Sequence, residues 1–269
     1  MKKNNSINDA VTKFIDKMNY LSNKDILGIV LYGSSITGYT HANSDIDIHI
    51  ITSNNVKDLI RGVITIDNNK FEYFERPIED VYKEVDISFK NQRNALLTMI
   101  GYGIILFDRN GEIKKLQQHI LEKYANPLPH LEGDDAKEMV AILDNRLIKL
   151  QDMYDNNDIA FESSYFLLIE RIRKFYSRRC GCSDIPPEKA VRVYSDEEYR
   201  QAFCKSNIPD KEFISLYFDA LTQTNKEDKM KMAYKIFDYT KKDINLNPND
   251  YRIRVKSRND PTNINLSNR

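Results

Sequence analysis

Leu31-Tyr32-Gly33-Ser34-Ser35-Ile36-Thr37-Gly38-Tyr39-Thr40-His41-Ala42-Asn43-Ser44-Asp45-Ile46-Asp47-Ile48-His49-Ile50 is the stretch on which the reading of this chain turns. It runs as an apolar strand, a Gly-Ser turn, a loop of small residues and a strand in which acidic and apolar residues alternate. Side chains on a strand point to opposite faces in turn, so Asp45 and Asp47 project from one side while Ile46, Ile48 and Ile50 face a core. The two carboxylates then stand about 7 Å apart. At that separation each raises the pKa of the other unless a cation neutralises them, and a hard, oxygen-seeking ion such as Mg2+ is the economical partner. Gly33 lets a ligand come close to the backbone. A helix opening at Ser34 would offer free N–H groups, and the Ser34 hydroxyl, to a phosphate.

On both sides of this stretch, strand-like and helical runs alternate between Asp25 and Phe107. Ile26 to Tyr32, Ile46 to Ile51, Val63 to Ile66, Phe71 to Phe74 and Ile104 to Phe107 read as strands, with Asp67-Asn68-Asn69 as a hairpin turn. Val11, Phe14, Ile15 and Met18 mark a first helix by their spacing, and Val81, Val85 and Phe89 another. Pro127-Leu128-Pro129 cannot lie inside a helix, and the chain beyond it is helical almost throughout. The expected fold class is therefore α/β (α+β): a small mixed sheet over residues 1–126, a helical bundle over 127–245, and a polar, basic tail over 246–269.

Composition bounds the function. The chain has 269 residues, with 40 Lys+Arg against 40 Asp+Glu, so its surface as a whole is not built to coat a polyanion, and any phosphate must be met locally. No apolar run approaches the roughly 20 residues that span a bilayer, and Asn4-Asn5-Ser6 comes after the first lysines where a leader would be apolar, so the expected location is the cytoplasm. Cys180, Cys182 and Cys204 are an odd set with spacing suited to neither a disulfide framework nor a zinc site, and are expected as free thiols.

Gly33-Ser34, ten intervening residues and then Asp45-Ile46-Asp47 between apolar neighbours resemble the signature of the DNA polymerase β-like nucleotidyltransferase superfamily. The resemblance covers about 20 residues at the motif, extends to the element order of residues 10–125, and is loose over the helical half, which is similar to the bundles appended in antibiotic nucleotidyltransferases. It implies transfer of a nucleoside monophosphate from an NTP, with ATP the leading choice, to a hydroxyl. It also implies two Mg2+ ions held by Asp45, Asp47 and a third carboxylate. Glu72 is the expected third member and general base, since Phe71-Glu72-Tyr73 is acid between apolar residues on the second hairpin strand. Asp86, in Val85-Asp86-Ile87, is its competitor, but the spacing of Val81, Val85 and Phe89 puts it on a helix.

Cations for a triphosphate are sought in the helical half among Arg146, Lys149, Arg171, Arg173 and Lys174, with Arg146 or Lys149 preferred because they are three apart on one helix. His49 shares the strand face of Asp45 and Asp47, although a lone histidine there, like His41 in the loop, is more often scaffolding. The alternation Tyr251-Arg252-Ile253-Arg254-Val255-Lys256-Ser257-Arg258 would give one basic face as a strand. The two-domain size resembles the antibiotic-modifying branch, so the expected acceptor is a small hydroxylated molecule of the aminoglycoside or lincosamide kind, bound between the domains. A tRNA end, a protein side chain, or a non-catalytic nucleotide sensor are the alternatives.

Overall fold

The structure is a computed structural model that describes residues 2–41, 44–244 and 246. The described residues divide into two compact units, one within 2–129 together with 192–207, the other within 130–191 together with 208–246. The basic alternation at Tyr251 to Arg258 lies outside the described residues.

The first unit is built on a five-stranded mixed sheet in the order β3-β4-β2-β1-β5. Its strands are β1 (Ile26–Tyr32), β2 (Ile46–Thr52), β3 (Ile60–Ile66), β4 (Asn69–Pro77) and β5 (Ile104–Asp108). From β2 the chain crosses to the edge strand β3, and a hairpin returns β4 between β3 and β2, which makes β2 and β4 parallel neighbours. The hairpin turns on Asp67 (φ 48°) and Asn68 (φ 64°), two residues that tolerate the left-handed region a two-residue turn demands.

Alternation sends two sets of residues to two cores. On one face Ile29, Leu31, Ile46, Ile48, Ile50 and Phe71 pack against Val11 and Phe14 of α1 (Lys2–Lys17). On the other, Val30 and Ile51 pack against α3 (Ile78–Lys90) and α4 (Glu112–Tyr124) through Val81, Val85, Ile113, Leu116 and Ile120. Helix α4 and the π-helical turn Leu97–Gly101 were not legible as elements in the sequence. That second face is sealed with apolar residues at the Ile51 end and becomes polar toward Asp47. The short helix α2 (Ser34–Thr37) comes directly after β1.

The second unit is helical. Its helices are α5 (Gly133–Asp155), α6 (Phe161–Arg179), α9 (Lys211–Thr222) and α10 (Lys226–Lys241), with α7 (Pro187–Ser195) crossing the unit boundary and α8 (Glu197–Ala202) lying in the first unit. Leu143, Leu147, Leu150, Leu168, Ile169, Ile172, Phe213, Ile236 and Phe237 are buried, each on the apolar stripe of its helix. Cys180, Cys182 and Cys204 are free thiols. No helix among the described residues is long and apolar enough to cross a membrane.

Asp210 caps α9, accepting from the N–H of Phe213 at 3.0 Å. Burial pushes its carboxyl up, but the hydroxyls of Tyr176 (2.6 Å) and Tyr239 (2.7 Å) and the backbone N–H groups of Phe213 and Glu212 together hold it below the ordinary carboxylate range. A carboxyl depressed by folding contributes stability above its unfolded pKa and loses it as pH falls through the folded one. Asp210→Ala is therefore expected to cost about 1–2 kcal/mol at pH 7, and the gap to wild type should narrow below about pH 4. Urea melts of both proteins at pH 7 and pH 3 check this.

Candidate active site

β1 ends where the sequence changes from apolar residues to Gly33. That glycine has φ 77° and ψ −154°, a conformation open essentially to glycine alone, and turns the chain straight into α2. It also sits against Asp47: a Cβ built at Gly33 would lie 2.0 Å from the Asp47 Oδ2. Gly38 closes α2 at φ 82° and ψ −3°, and a Cβ there would meet nothing within 4 Å among the described residues. The hydroxyl of Ser35 donates to the Tyr32 carbonyl at 2.9 Å and tightens the turn, whereas Ser34 has no hydrogen-bond partner for its hydroxyl among the described residues.

The sheet register brings the acids together. Tyr32 of β1, Asp47 of β2 and Glu72 of β4 are direct cross-strand neighbours, so their side chains share one face. Asp45 immediately precedes β2 and projects with Asp47. The predicted trio of Asp45, Asp47 and Glu72 therefore lies on one patch of sheet. Asp86 does not: it stands on the exposed surface of α3, paired with Lys123 at 2.6 Å.

Cations border the patch. The Lys70 Nζ is 2.9 Å from the Asp45 Oδ2, and Arg61 of β3 donates its Nε to the Glu72 Oε1 at 3.0 Å and a second nitrogen to the same oxygen. The Arg61 guanidinium also lies 5.1 Å over the ring of Phe74. Burial raises the Tyr32 phenol above its ordinary pKa, the charges of Asp47 and Glu72 raise it further, and Arg61 and Arg76 oppose them, so its hydroxyl remains a donor. His49 lies one step deeper on the same face, fully buried, and its Nε2 accepts from the Arg76 Nε at 3.1 Å. Burial, with Arg76 adding, pushes its pKa down to about 3, which keeps the ring neutral.

The donor set suits a hard divalent cation. Three carboxylates share a face, and their neighbours Lys70 and Arg61 are exposed side chains in surface pairs, which are weak. As the side chains stand, no three His, Cys, Asp or Glu among the described residues converge on a point that could hold an ion; Lys70 is paired with Asp45 and Arg61 with Glu72.

In the helical unit, Arg146 and Lys149 of α5 line a groove with Arg171 and Ser164 of α6, over Leu150 and Leu168. Among the described residues none of these three cations has an acidic partner. Burial lowers the Arg171 guanidinium's pKa, and Arg146 beside it adds to the effect. Arg173 and Lys174 are used otherwise. Arg173 is buried on Glu170 (2.8 Å) and the Ile185 carbonyl (2.7 Å), and Lys174 pairs with Asp184 at 2.9 Å.

Sequence reasoning passed over Lys70, Arg61 and Tyr32. The signal for Lys70 was present, since a residue two before Glu72 on a strand shares its face. Arg61 could not be placed without the hairpin register.

Residues 17–112 match the family model for polymerase beta nucleotidyltransferases. Among solved structures, a nucleotidyltransferase-like protein from Exiguobacterium sibiricum is similar at 11% identity and a TM-score of 0.48, over 87% of this chain and 74% of that one. No curated protein matches the chain.

Proposed function

We propose that the protein, whose residues 17–112 match the family model for polymerase beta nucleotidyltransferases, moves a nucleoside monophosphate from an NTP, ATP in the first instance, to a hydroxyl of a small acceptor such as an aminoglycoside or lincosamide. The observation that carries this reading is the cross-strand pairing of Asp47 with Glu72, beside Gly33. Asp45, Asp47 and Glu72 would hold Mg2+, two ions in the proposed form. Bound there, the ions supply Lewis-acid stabilisation of the attacking and leaving oxygens.

The chain's own residues do the rest. The Ser34 hydroxyl and the backbone N–H groups after Gly33 orient a phosphate. Glu72, acting as general base, takes the proton of the acceptor hydroxyl as its oxygen bonds to the α-phosphorus and the bond to pyrophosphate breaks. Tyr32, kept protonated, offers a donor beside the forming charge. Arg146 or Lys149 is the cation proposed to bind the nucleotide's phosphates. Domain limits of 1–126, 127–245 and 246–269 remain part of this proposal.

The test is incubation with Mg2+ and each NTP labelled at the α-phosphate, against separate pools of aminoglycosides, lincosamides, tRNA and cell protein. Label on an antibiotic supports the reading. Label on tRNA or protein moves the activity to a macromolecular acceptor, and NTP binding without transfer to any pool supports a sensor. Glu72→Gln is expected to lower the transfer rate by about 10²–10⁴-fold, whereas Asp86→Asn leaves it within a factor of about two because Asp86, on an exposed helix face, pairs among the described residues only with Lys123. The reverse outcome would transfer the base role to Asp86.

A further inference from the structure

Lys70 and Arg61 stand on the edge hairpin, and among the described residues their acidic partners are Asp45 and Glu72 respectively. Each of those acids is one that the proposed reaction needs for a metal. The two sides of each pair differ in freedom: the acid side chains are 23% and 22% exposed, the cations 54% and 69%. The carboxylates are thus seated in the sheet, while their partners are long arms reaching in from solvent. Arg61 is further guided by the Phe74 ring beneath it.

A divalent ion arriving at Asp45 and Glu72 would take over the charge that now holds Lys70 and Arg61. Two positive heads are then released within a side chain's reach of the ion, without an acid to meet. A nucleoside triphosphate carried by that ion brings several negative oxygens to the same place, and guanidinium and ammonium groups bind phosphate oxygens through charge-assisted hydrogen bonds.

We propose that Lys70 and Arg61 exchange partners, pairing with Asp45 and Glu72 in the metal-free protein and binding the triphosphate once the divalent ion holds those carboxylates. The inference rests on the reading of Asp45, Asp47 and Glu72 as metal ligands. It makes each cation a competitor of the metal and an ally of the nucleotide, so its removal shifts the two affinities in opposite directions.

Lys70→Met and Arg61→Met keep the apolar stems and remove the charges. Two binding constants are measured on the full chain: that of Mn2+ alone, by electron paramagnetic resonance, and that of inorganic tripolyphosphate at saturating Mn2+, by calorimetry. Each variant is expected to bind Mn2+ about threefold more tightly, the scale of a lost surface ion pair, and tripolyphosphate about tenfold more weakly, the scale of a lost hydrogen bond between charged groups. The two affinities moving together, or either staying at the wild-type value in both variants, overturns the exchange. Asp47→Asn serves as the control. If wild type binds Mn2+ no better than Asp47→Asn, the metal reading itself fails, which separates that failure from failure of the exchange.

Discussion

Asp47→Ala is expected to reduce nucleotidyl transfer by about a thousandfold or more while the protein stays folded. The rate effect comes from the proposed role: a ligand to the ions that stabilise both oxygens of an in-line displacement contributes several kcal/mol to the barrier, and each tenfold in rate is about 1.4 kcal/mol. The stability effect is small for an electrostatic reason. Asp47 faces Glu72 across a parallel pair of strands, so truncating it removes a like charge from the patch, and the backbone pairing with Tyr32 and Glu72 persists. Initial rates with α-labelled NTP, beside thermal melts, check both halves. Wild-type turnover in the variant would refute the metal assignment, and collapse of the melt would show that Asp47 is structural.

Gly33→Ala should damage both stability and activity, and Gly38→Ala, five residues on, should damage neither greatly. Both glycines have positive φ, but they differ in ψ and in what lies beside them. At Gly33 the backbone lies in a region that L-residues avoid, costing about 1–3 kcal/mol, and the new methyl would fall on the Asp47 carboxylate. Relief requires either the turn or the Asp47 side chain to move. A melting point lower by about 5 °C and a transfer rate down by about 100-fold are expected. At Gly38 the conformation is ordinary left-handed helix and a Cβ would meet none of the described residues, so about 1 kcal/mol is lost and the rate is kept. Equal rates in the two variants would show that the contact between Gly33 and Asp47 does not position the carboxylate.

The motif was legible because it is local. Alternation placed Asp45 and Asp47 on one face, and Gly33 marked a turn that only glycine makes. The hairpin was equally legible, since Asp67 and Asn68 are turn residues between apolar runs. Helix α4 was missed because Ile113, Leu116 and Ile120 are sparse among charged residues, so its apolar face is evident only when it is seen against Val30 and Ile51. The sequence could not state that residues 192–207 pack with the sheet unit, because that depends on contacts far apart in the chain.

The choice between Glu72 and Asp86 shows the division most clearly. Each is an acid between two apolar residues, and within either tripeptide the two are alike. That two carboxylates project together beside a glycine turn could be read from the residues in order, because the period of a strand and the steric limits of φ and ψ act over a few residues. Packing of distant segments was needed to set Glu72 opposite Asp47, to put Asp86 with Lys123 on a solvent-facing helix, and to bring Arg61 and Lys70 to the same acids. Strand order and register are fixed by which faces can be buried together, and that is a property of the whole packed sheet.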